Sequence, residues 1–133
     1  MEHWKTAQYW NQNTNELEVY TNFEVSDKGN IRYSSNHSGK GIREGTTSPK
    51  IKTRDEMSGN GKGYLCINTI FNGSVSTRMI HRMVLSTFNP EGYFMEAQAA
   101  HKNDVPDDNR LENLYWATEA QNKADRVRNN AKA

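Results

Sequence analysis

Three polar residues near the C-terminus are spaced so that they could meet at one chemical site. His101 lies where a short predicted strand ends, Asn113 precedes a second short strand, and Asn122 lies one turn into the helix that follows. A strand–loop–strand–helix unit folds back on itself, so the imidazole and the helix amide can converge across the loop. An imidazole and an amide oxygen near a helix start suit a hard cation and a phosphate group.

The local sequence predicts the elements that would hold these residues. Leu114-Tyr115-Trp116-Ala117 is typical of a short strand. Thr118-Glu119-Ala120-Gln121 matches a capping box, in which the threonine hydroxyl and the glutamine amide satisfy the first free N–H groups of a helix. We therefore expect a helix from Glu119 to about Asn129.

Two hairpins and a helix are predicted upstream. Residues 17–33 form one hairpin, with apolar positions at Leu17, Val19, Phe23 and Val25 and a turn at residues 27–30. Residues 64–77 form the second, whose Asn72-Gly73 turn is the strongest short hairpin signal. From residue 78 the period becomes helical, with apolar positions at Ile80, Met83, Val84 and Phe88 and an end at Asn89-Pro90. Residues 34–49 are predicted to be a loop and residues 57–63 a break between elements.

Charge is distributed unevenly along the 133 residues. The formal net charge is only +1, which by itself argues against a nucleic-acid binder. Residues 1–27 carry −4, residues 28–63 carry +5 and residues 64–133 carry zero. The middle of the chain is therefore a local basic stretch.

Composition excludes several classes of protein. No apolar run of about 18 residues could span a membrane. Cys66 is the only cysteine, which excludes an internal disulfide and a cysteine-cluster zinc site. The N-terminus lacks the apolar core of an export signal, so we expect a cytoplasmic location, in the host cell if the chain is phage-encoded.

The C-terminal pattern resembles the HNH endonuclease motif, the ββα-metal fold. The matching positions are His101, Asn109, Asn113, Leu114, Trp116, Thr118 and Asn122. His81-Arg82-Met83-Val84 resembles the helix that often precedes this motif, and Phe23 to Arg32, with Trp4-Lys5, resembles the small nuclease-associated module found ahead of HNH domains in homing-type endonucleases of phages and mobile introns. Together the resemblance covers most of the chain.

The resemblance implies hydrolysis of DNA phosphodiester bonds assisted by one divalent metal, Mg²⁺ or Mn²⁺. Carried onto this chain, His101 is the general base, Asn113 braces the loop and holds the histidine backbone, and Asn122 offers its carbonyl oxygen to the metal. A free imidazole, with a pKa of about 6.5, is mostly neutral at pH 7 and can take a proton from water. His81 is interpreted as a structural residue or a neighbour of the site.

One position departs from the family pattern. The family commonly places a metal-binding aspartate directly before the histidine, and this chain has Ala100 there. Without a carboxylate, a single amide oxygen would hold Mg²⁺ weakly. A natural subfamily without the aspartate, a degenerate nuclease kept for DNA binding, and a deliberate replacement of the aspartate all remain open. We interpret the chain as a family member whose site is impaired.

The basic side chains are the candidate phosphate contacts on double-stranded DNA. Arg78 and Arg82 are predicted to share one helix face. The full set of candidates is Lys28, Arg32, Lys50, Lys52, Arg54, Lys62, Arg78, Arg82, Lys102, Arg110, Lys123 and Arg126.

Two further patterns have simpler interpretations. Asp104, Asp107 and Asp108 could replace the missing ligand, but solvated turn residues explain them as well. Gly59-Asn60-Gly61-Lys62-Gly63 lacks the spacing of a nucleotide-binding P-loop and is interpreted as a loop that touches the DNA backbone.

The sequence thus predicts a small α+β protein with two parts. Residues 1–63 form a nuclease-associated DNA-binding β module and residues 64–133 form the HNH ββα-metal nuclease domain. The predicted function is a metal-dependent DNA endonuclease that nicks or cuts both strands. The alternative is a DNA-binding protein on the same scaffold that does not cleave. Either a monomer or a homodimer fits the sequence.

Overall fold

The computed structural model describes residues 2–34, 52–53, 65–71, 73–103, 105 and 107–124. The strands are β1 (Trp4–Asn11), β2 (Glu16–Ser26), β3 (Ile31–Tyr33), β4 (Lys52–Thr53), β5 (Leu65–Phe71), β6 (Ser74–Met79), β7 (Gln98–His101) and β8 (Leu114–Ala117). Helix α1 (Ile80–Phe88) follows β6, and residues 119–124 form helix α2. Short 3-10 turns occupy Pro90–Gly92 and Leu111–Asn113.

The first sheet has the antiparallel order β1-β2-β3. Its β2–β3 hairpin is the one predicted over residues 17–33, and its turn contains Gly29 with φ of 87°. Val19, predicted as an apolar strand position, is 47% exposed. The pairing of β1 with β2 shifts register between Thr6 and Ala7. The buried positions of β2 change accordingly, from Glu18 and Tyr20 before the shift to Phe23 and Val25 after it.

The sequence did not predict β1, which is held from two sides. It pairs with β2 along its length, and helix α1 covers its other edge. The backbone N–H of Gln8 donates to Oγ1 of Thr87 at 2.8 Å, and that of Trp10 donates to Oγ of Ser86 at 3.0 Å. Two hydroxyl oxygens of α1 therefore accept hydrogen bonds from N–H groups at the edge of the strand, which would otherwise be unpaired.

The second sheet has the order β4-β5-β6, with all pairs antiparallel. The predicted β5–β6 hairpin and the predicted helix over α1 are both confirmed. Strand β6 continues to Met79, so Arg78 is a strand residue. The prediction that Arg78 and Arg82 share one helix face is therefore wrong.

Helix α1 is the centre of the hydrophobic core. Every residue from Ile80 to Thr87 is buried, because β1, β2, β7 and β8 pack around the helix. One hydrophobic cluster includes Tyr9, Phe23 and Val25 from the N-terminal part together with Met83 and Trp116 from the C-terminal part. The division at residue 63 stays a prediction, but the two parts share this core.

The C-terminal part is a ββα unit, which confirms the predicted α+β fold class. Strand β7 pairs with β8 in register, His101 opposite Leu114. At the start of α2 the capping box is formed in both directions: the Thr118 N–H donates to Oε1 of Gln121 at 2.9 Å, and the Gln121 N–H donates to Oγ1 of Thr118 at 3.1 Å. The predicted continuation of this helix to Asn129 lies outside the described residues, as do residues 35–49 of the loop predicted over 34–49 and the break at 57–63.

Candidate active site

His101 ends strand β7 and is 5% exposed. Its Nε2 atom lies 2.9 Å from Oδ1 of Asn109, in the loop between β7 and β8. An amide oxygen can only accept a hydrogen bond, so this contact places the imidazole proton on Nε2 and the lone pair on Nδ1. The arrangement fixes both the ring orientation and the nitrogen that can accept a proton.

His81, on helix α1, packs against the histidine of the site. The ring centroids of His81 and His101 are 4.7 Å apart. Nε2 of His81 also donates a hydrogen bond to the Ala99 carbonyl oxygen at 3.1 Å. Burial, helped by the neighbouring His101, lowers the pKa of His81 to about 3, so its ring is neutral at pH 7. His81 therefore supports the site as a neutral ring.

Asn113 is 6% exposed and ties together the loop that follows the histidine. Its Nδ2 donates to Oδ1 of Asn103 and to the Asp108 carbonyl oxygen, both at 2.9 Å. Its Oδ1 accepts from the Asn103 N–H at 3.2 Å, and its carbonyl oxygen accepts from the Lys102 N–H at 2.7 Å. The last contact fixes the backbone next to His101, which is the position where a brace is predicted.

Charged residues of the same loop neutralise one another. Arg110 contacts both carboxylate oxygens of Asp108, at 2.8 and 2.9 Å, and Glu112 at 2.9 Å. The Arg110 guanidinium holds the pKa of Asp108 well below its usual range. Asp108 thus has a salt-bridge partner already, Asp107 is exposed, and Asp104 lies outside the described residues. The loop residues that the structure describes form no acidic cluster for a metal.

The predicted metal ligands contribute one neutral oxygen. Asn122, in α2, donates from Nδ2 to Oε1 of Gln98 at 3.0 Å, which leaves its carbonyl oxygen Oδ1 as the donor for a cation. Ala100 is 2% exposed and carries no ligand atom. Among the described residues no three or more His, Cys, Asp or Glu side chains form a group that could hold a metal. This donor set does not fit a divalent ion held by the protein alone.

Two comparisons bear on this geometry. Residues 78–124 match the family model described as HNH endonuclease. We call residues 78–124 the HNH segment after this match. The structure titled "DNA binding and cleavage by the HNH homing endonuclease I-HmuI" aligns with a TM-score of 0.63 and 23% sequence identity, over 95% of this chain and 58% of that one. The chain thus spans little more than half the length of that structure. The search among curated proteins gave no match.

The predicted resemblance to HNH endonucleases is therefore confirmed, and the fold is similar to that of the aligned part of this structure. His101, Asn113 and Asn122 all lie within the HNH segment. The structure links the first two through the loop. It links Asn122 to β7 through Gln98, two residues before Ala100.

Several predicted DNA-binding residues are exposed in and around the HNH segment. Lys28 and Lys102 are exposed, and Lys123 lies 3.6 Å from the Glu119 carboxylate one helical turn away. Arg32 pairs with Glu24 at 2.8 Å and lies over the Trp4 ring. The other candidates lie outside the described residues: Lys50, Arg54, Lys62, Arg126, the 59–63 loop and the side chain of Lys52.

Arg78 and Arg82 are used inside the protein instead. Arg78 pairs with the buried Glu18, Nε to Oε1 at 3.0 Å and Nη2 to Oε2 at 3.2 Å. Arg82 is 6% exposed and hydrogen-bonds backbone carbonyl oxygens. Both guanidinium groups are therefore held by partners inside the protein, and their predicted contact with DNA stays a prediction.

Sequence reasoning gave no role to two residues that shape the site. Asn109 was part of the motif, yet only the structure shows that it contacts His101. Gly29 lies in the β2–β3 turn, and a Cβ there would come within 2.7 Å of the Asn109 carbonyl group. The Leu111 N–H also donates to the Asp27 carbonyl oxygen at 2.9 Å. The N-terminal sheet thus supports the loop that holds Asn109. No local sequence pattern predicts this contact between the sheet and the loop.

No helix among the described residues is long and apolar enough to cross a membrane.

Proposed function

We propose that this chain is an HNH-type endonuclease that hydrolyses DNA phosphodiester bonds, with an activity impaired by Ala100. The observation that carries the proposal is the His101–Asn109 contact inside a segment that matches the HNH endonuclease family. A positioned imidazole with a defined proton-accepting nitrogen is what a general base for water requires.

His101 activates the water in this proposal. With its proton on Nε2 and held by Asn109, the ring accepts a proton at Nδ1 as the water oxygen attacks phosphorus. The bond from phosphorus to the 3′-oxygen breaks in the same step, and the departing oxygen takes a proton from solvent. Asn113 keeps the strand end and the loop in place during this step through its contacts with Lys102, Asn103 and Asp108. Neutral His81 packs against the His101 ring and limits its rotation.

The divalent ion, Mg²⁺ or Mn²⁺, stays a prediction from the family. Asn122 alone does not fit a tightly held ion, so we assign no step to the metal. We propose that any ion binds with oxygens from DNA phosphates and water, and that Ala100→Asp would strengthen its binding.

The partner in this proposal is double-stranded DNA, contacted by Lys28, Lys102 and Lys123 among the exposed basic residues. Such contacts make DNA affinity fall steeply with salt concentration. A single site in each chain gives one nick per visit, so a double-strand cut would need a homodimer or two visits. A location in the cytoplasm of a host cell belongs to the same proposal.

Plasmid cleavage in Mg²⁺ or Mn²⁺ tests the function. We expect His101→Ala to lose about 10²–10⁴-fold in rate and Ala100→Asp to exceed the unaltered chain. His3→Ala, which removes an exposed histidine, is the matched control and should cleave normally. Unchanged cleavage by His101→Ala would exclude the catalytic role.

The second candidate is a DNA-binding protein that does not cleave, and the alanine at position 100 is the observation that favours it. Binding of labelled duplex DNA without cleavage by either the unaltered chain or Ala100→Asp would establish this alternative. Absence of DNA binding would exclude both functions.

A further inference from the structure

Asn109, the residue whose Oδ1 contacts the imidazole of His101, stands between two oppositely charged residues. Asp108 and Arg110 flank it in the sequence, and their side chains meet each other. Nε and Nη2 of Arg110 donate to Oδ1 and Oδ2 of Asp108, at 2.8 and 2.9 Å. Such a bidentate pair is the strong and geometrically specific form of an arginine–carboxylate contact. The ion pair therefore closes a small ring of chain that contains Asn109.

Asn113 holds the backbone on both sides of Asn109. Its Nδ2 donates to the Asp108 carbonyl oxygen and its N–H donates to the Arg110 carbonyl oxygen, each at 2.9 Å. The Asp108 side chain has a further anchor, because Nδ2 of Asn103 donates to its Oδ2 at 2.9 Å. Asn109 itself is 4% exposed, so its amide points into the protein. Groups outside residue 109 thus fix both of its neighbours and the direction of its side chain.

The guanidinium of Arg110 is fully engaged with carboxylates. Nε and Nη2 contact Asp108, and Nη1 donates to Oε1 of Glu112 at 2.9 Å. Two carboxylates around one guanidinium leave a net negative charge, and a phosphate would have to displace them. With 48% of the Arg110 side chain accessible to solvent, its ion pairs contribute little to folding stability. What the Asp108–Arg110 pair does hold is the backbone of the residue between its two members.

We propose that Asp108 and Arg110 are positioning residues for His101 and act through Asn109. Their ion pair keeps Oδ1 of Asn109 within hydrogen-bond distance of Nε2 of His101. For Arg110 this role takes the place of the phosphate contact that its charge predicts. Loss of either member loosens the acceptor and, with it, the hold on the imidazole proton. That this positioning serves DNA cleavage rests on the proposed function.

The first measurement is the proton NMR signal of the His101 Nε2–H group, in the chain without DNA. This proton exchanges with water only when its hydrogen bond opens, so a firm contact keeps the signal visible and a loosened one removes it. The absence of the signal from His101→Gln assigns it. We expect the unaltered chain to show the signal, and both Asp108→Asn and Arg110→Gln to lose it or shift it upfield.

The control for this measurement is Asp107→Asn, which makes the same charge change at an exposed residue of the same loop. It should keep the His101 signal in place. An unchanged signal in Asp108→Asn and Arg110→Gln would overturn the proposal. Absence of the signal from the unaltered chain would overturn it as well, because there would be no positioned proton to lose.

Single-turnover cleavage tests whether the two residues act as one unit. A displacement of about 1 Å can cost about a hundredfold in rate, and a loosened acceptor is a smaller disturbance, so we expect Asp108→Asn and Arg110→Gln each to be about threefold to tenfold slower. The double variant should be no slower than either single variant, because both changes break the same ion pair. Losses that multiply in the double variant would show that the residues act independently and would overturn the proposal.

Affinity for labelled duplex DNA separates positioning from direct contact with phosphate. Lys102→Gln and Arg110→Gln each remove one exposed positive charge from the same loop. A phosphate contact contributes about one to the slope of log affinity against log salt concentration. We expect Lys102→Gln to reduce that slope and Arg110→Gln to leave it unchanged. A reduced slope for Arg110→Gln with an unchanged His101 signal would assign Arg110 to DNA and overturn the proposal.

The NMR measurement keeps this proposal distinct from the endonuclease proposal. Loss of the His101 signal in both variants, with no plasmid cleavage by the unaltered chain or by Ala100→Asp, supports the positioning and overturns the enzymatic function. Cleavage that depends on His101, with signal and rate unchanged in Asp108→Asn, supports the enzyme and overturns the positioning.

Discussion

Nε2 of His101 and Oδ1 of Asn109 are 2.9 Å apart, although His101 ends strand β7 and Asn109 lies eight positions further on, in the loop. The contact selects one tautomer of the candidate base. It also places Nδ2 of Asn109 in a buried position without a partner among the described residues. Asn109 therefore positions His101 at some cost to its own hydrogen bonding.

Replacement of Asn109 tests this positioning. Asn109→Ala leaves the buried imidazole N–H without its acceptor, a loss of about 1–3 kcal/mol, and should slow single-turnover cleavage by about tenfold to a hundredfold. Asn109→Asp keeps an acceptor and removes the unpaired Nδ2, so it should retain more activity than the alanine variant. Equal rates for the two variants would show that the acceptor is unimportant.

Gly29 provides a test of the contact between the N-terminal sheet and the loop. Gly29→Ala puts a Cβ within 2.7 Å of the Asn109 backbone at φ of 87°. We expect a loss of about 1–3 kcal/mol in unfolding free energy and displaced amide resonances at Asn109 and His101. Gly73 is the matched control, with φ of 81° and nothing within 4 Å of the added Cβ. Equal losses from Gly29→Ala and Gly73→Ala in denaturant unfolding would contradict a specific clash.

His81 should make folding stability depend on pH. Its pKa is about 3 in the folded chain, against 6.5 for an ordinary histidine side chain, so the unfolded chain binds the extra proton between these values. The stability from neutral His81 is present above pH 6.5 and is lost as pH falls towards 3, at about 1.4 kcal/mol per pH unit. His81→Gln can still donate to the Ala99 carbonyl oxygen, and its unfolding free energy should fall less steeply in this range.

The control for that pH measurement is His3→Gln, which changes an exposed histidine. It should follow the unaltered chain at every pH. If His81→Gln also follows the unaltered chain between pH 6.5 and 3, the neutral buried ring is not the source of the pH dependence.

Ala100→Asp should couple stability to metal. Position 100 is 2% exposed, and a buried carboxylate without a partner is unfavourable. In EDTA the variant should melt at a lower temperature than the unaltered chain, and Mn²⁺ should restore part of that loss because bound ligand stabilises the folded state. The same Mn²⁺ titration of the unaltered chain should give a much smaller shift. Identical responses of both chains would show that position 100 is not next to a metal site.

Local chemistry is sufficient to predict much of this fold. Asn72-Gly73 defined the β5–β6 hairpin, the spacing of Ile80, Met83 and Val84 defined α1, and Thr118 with Gln121 defined the start of α2. Each of these signals acts over a few residues, so the sequence carries it directly. Strand β1 was missed because the turn that joins it to β2 is closed by backbone geometry: Asn15 has φ of 56°, and its N–H donates to the Asn11 carbonyl oxygen.

The surroundings of Arg82 could not be predicted in the same way. Two arginines four residues apart, Arg78 and Arg82, suggest the solvent-exposed face of a helix, but every residue of α1 from Ile80 to Thr87 is buried. Its partners are backbone carbonyl oxygens of Trp10 and Ala97, atoms that every residue type carries. The His101–Asn109 contact is similar, because the loop conformation that creates it depends on Gly29 and Asp27, about 80 residues away.

The contact of Gly29 with Asn109 also limits how such chains can be recombined. An N-terminal sheet taken from one chain and joined to the ββα unit of another would have to bring a turn that fits the recipient's loop. Chimaeras joined near residue 63 would therefore lose function even when each part keeps all of its own site residues. If residues 27–29 and residues 109–111 are both taken from the same parent chain, the function should recover. These six positions are therefore expected to vary together among related chains.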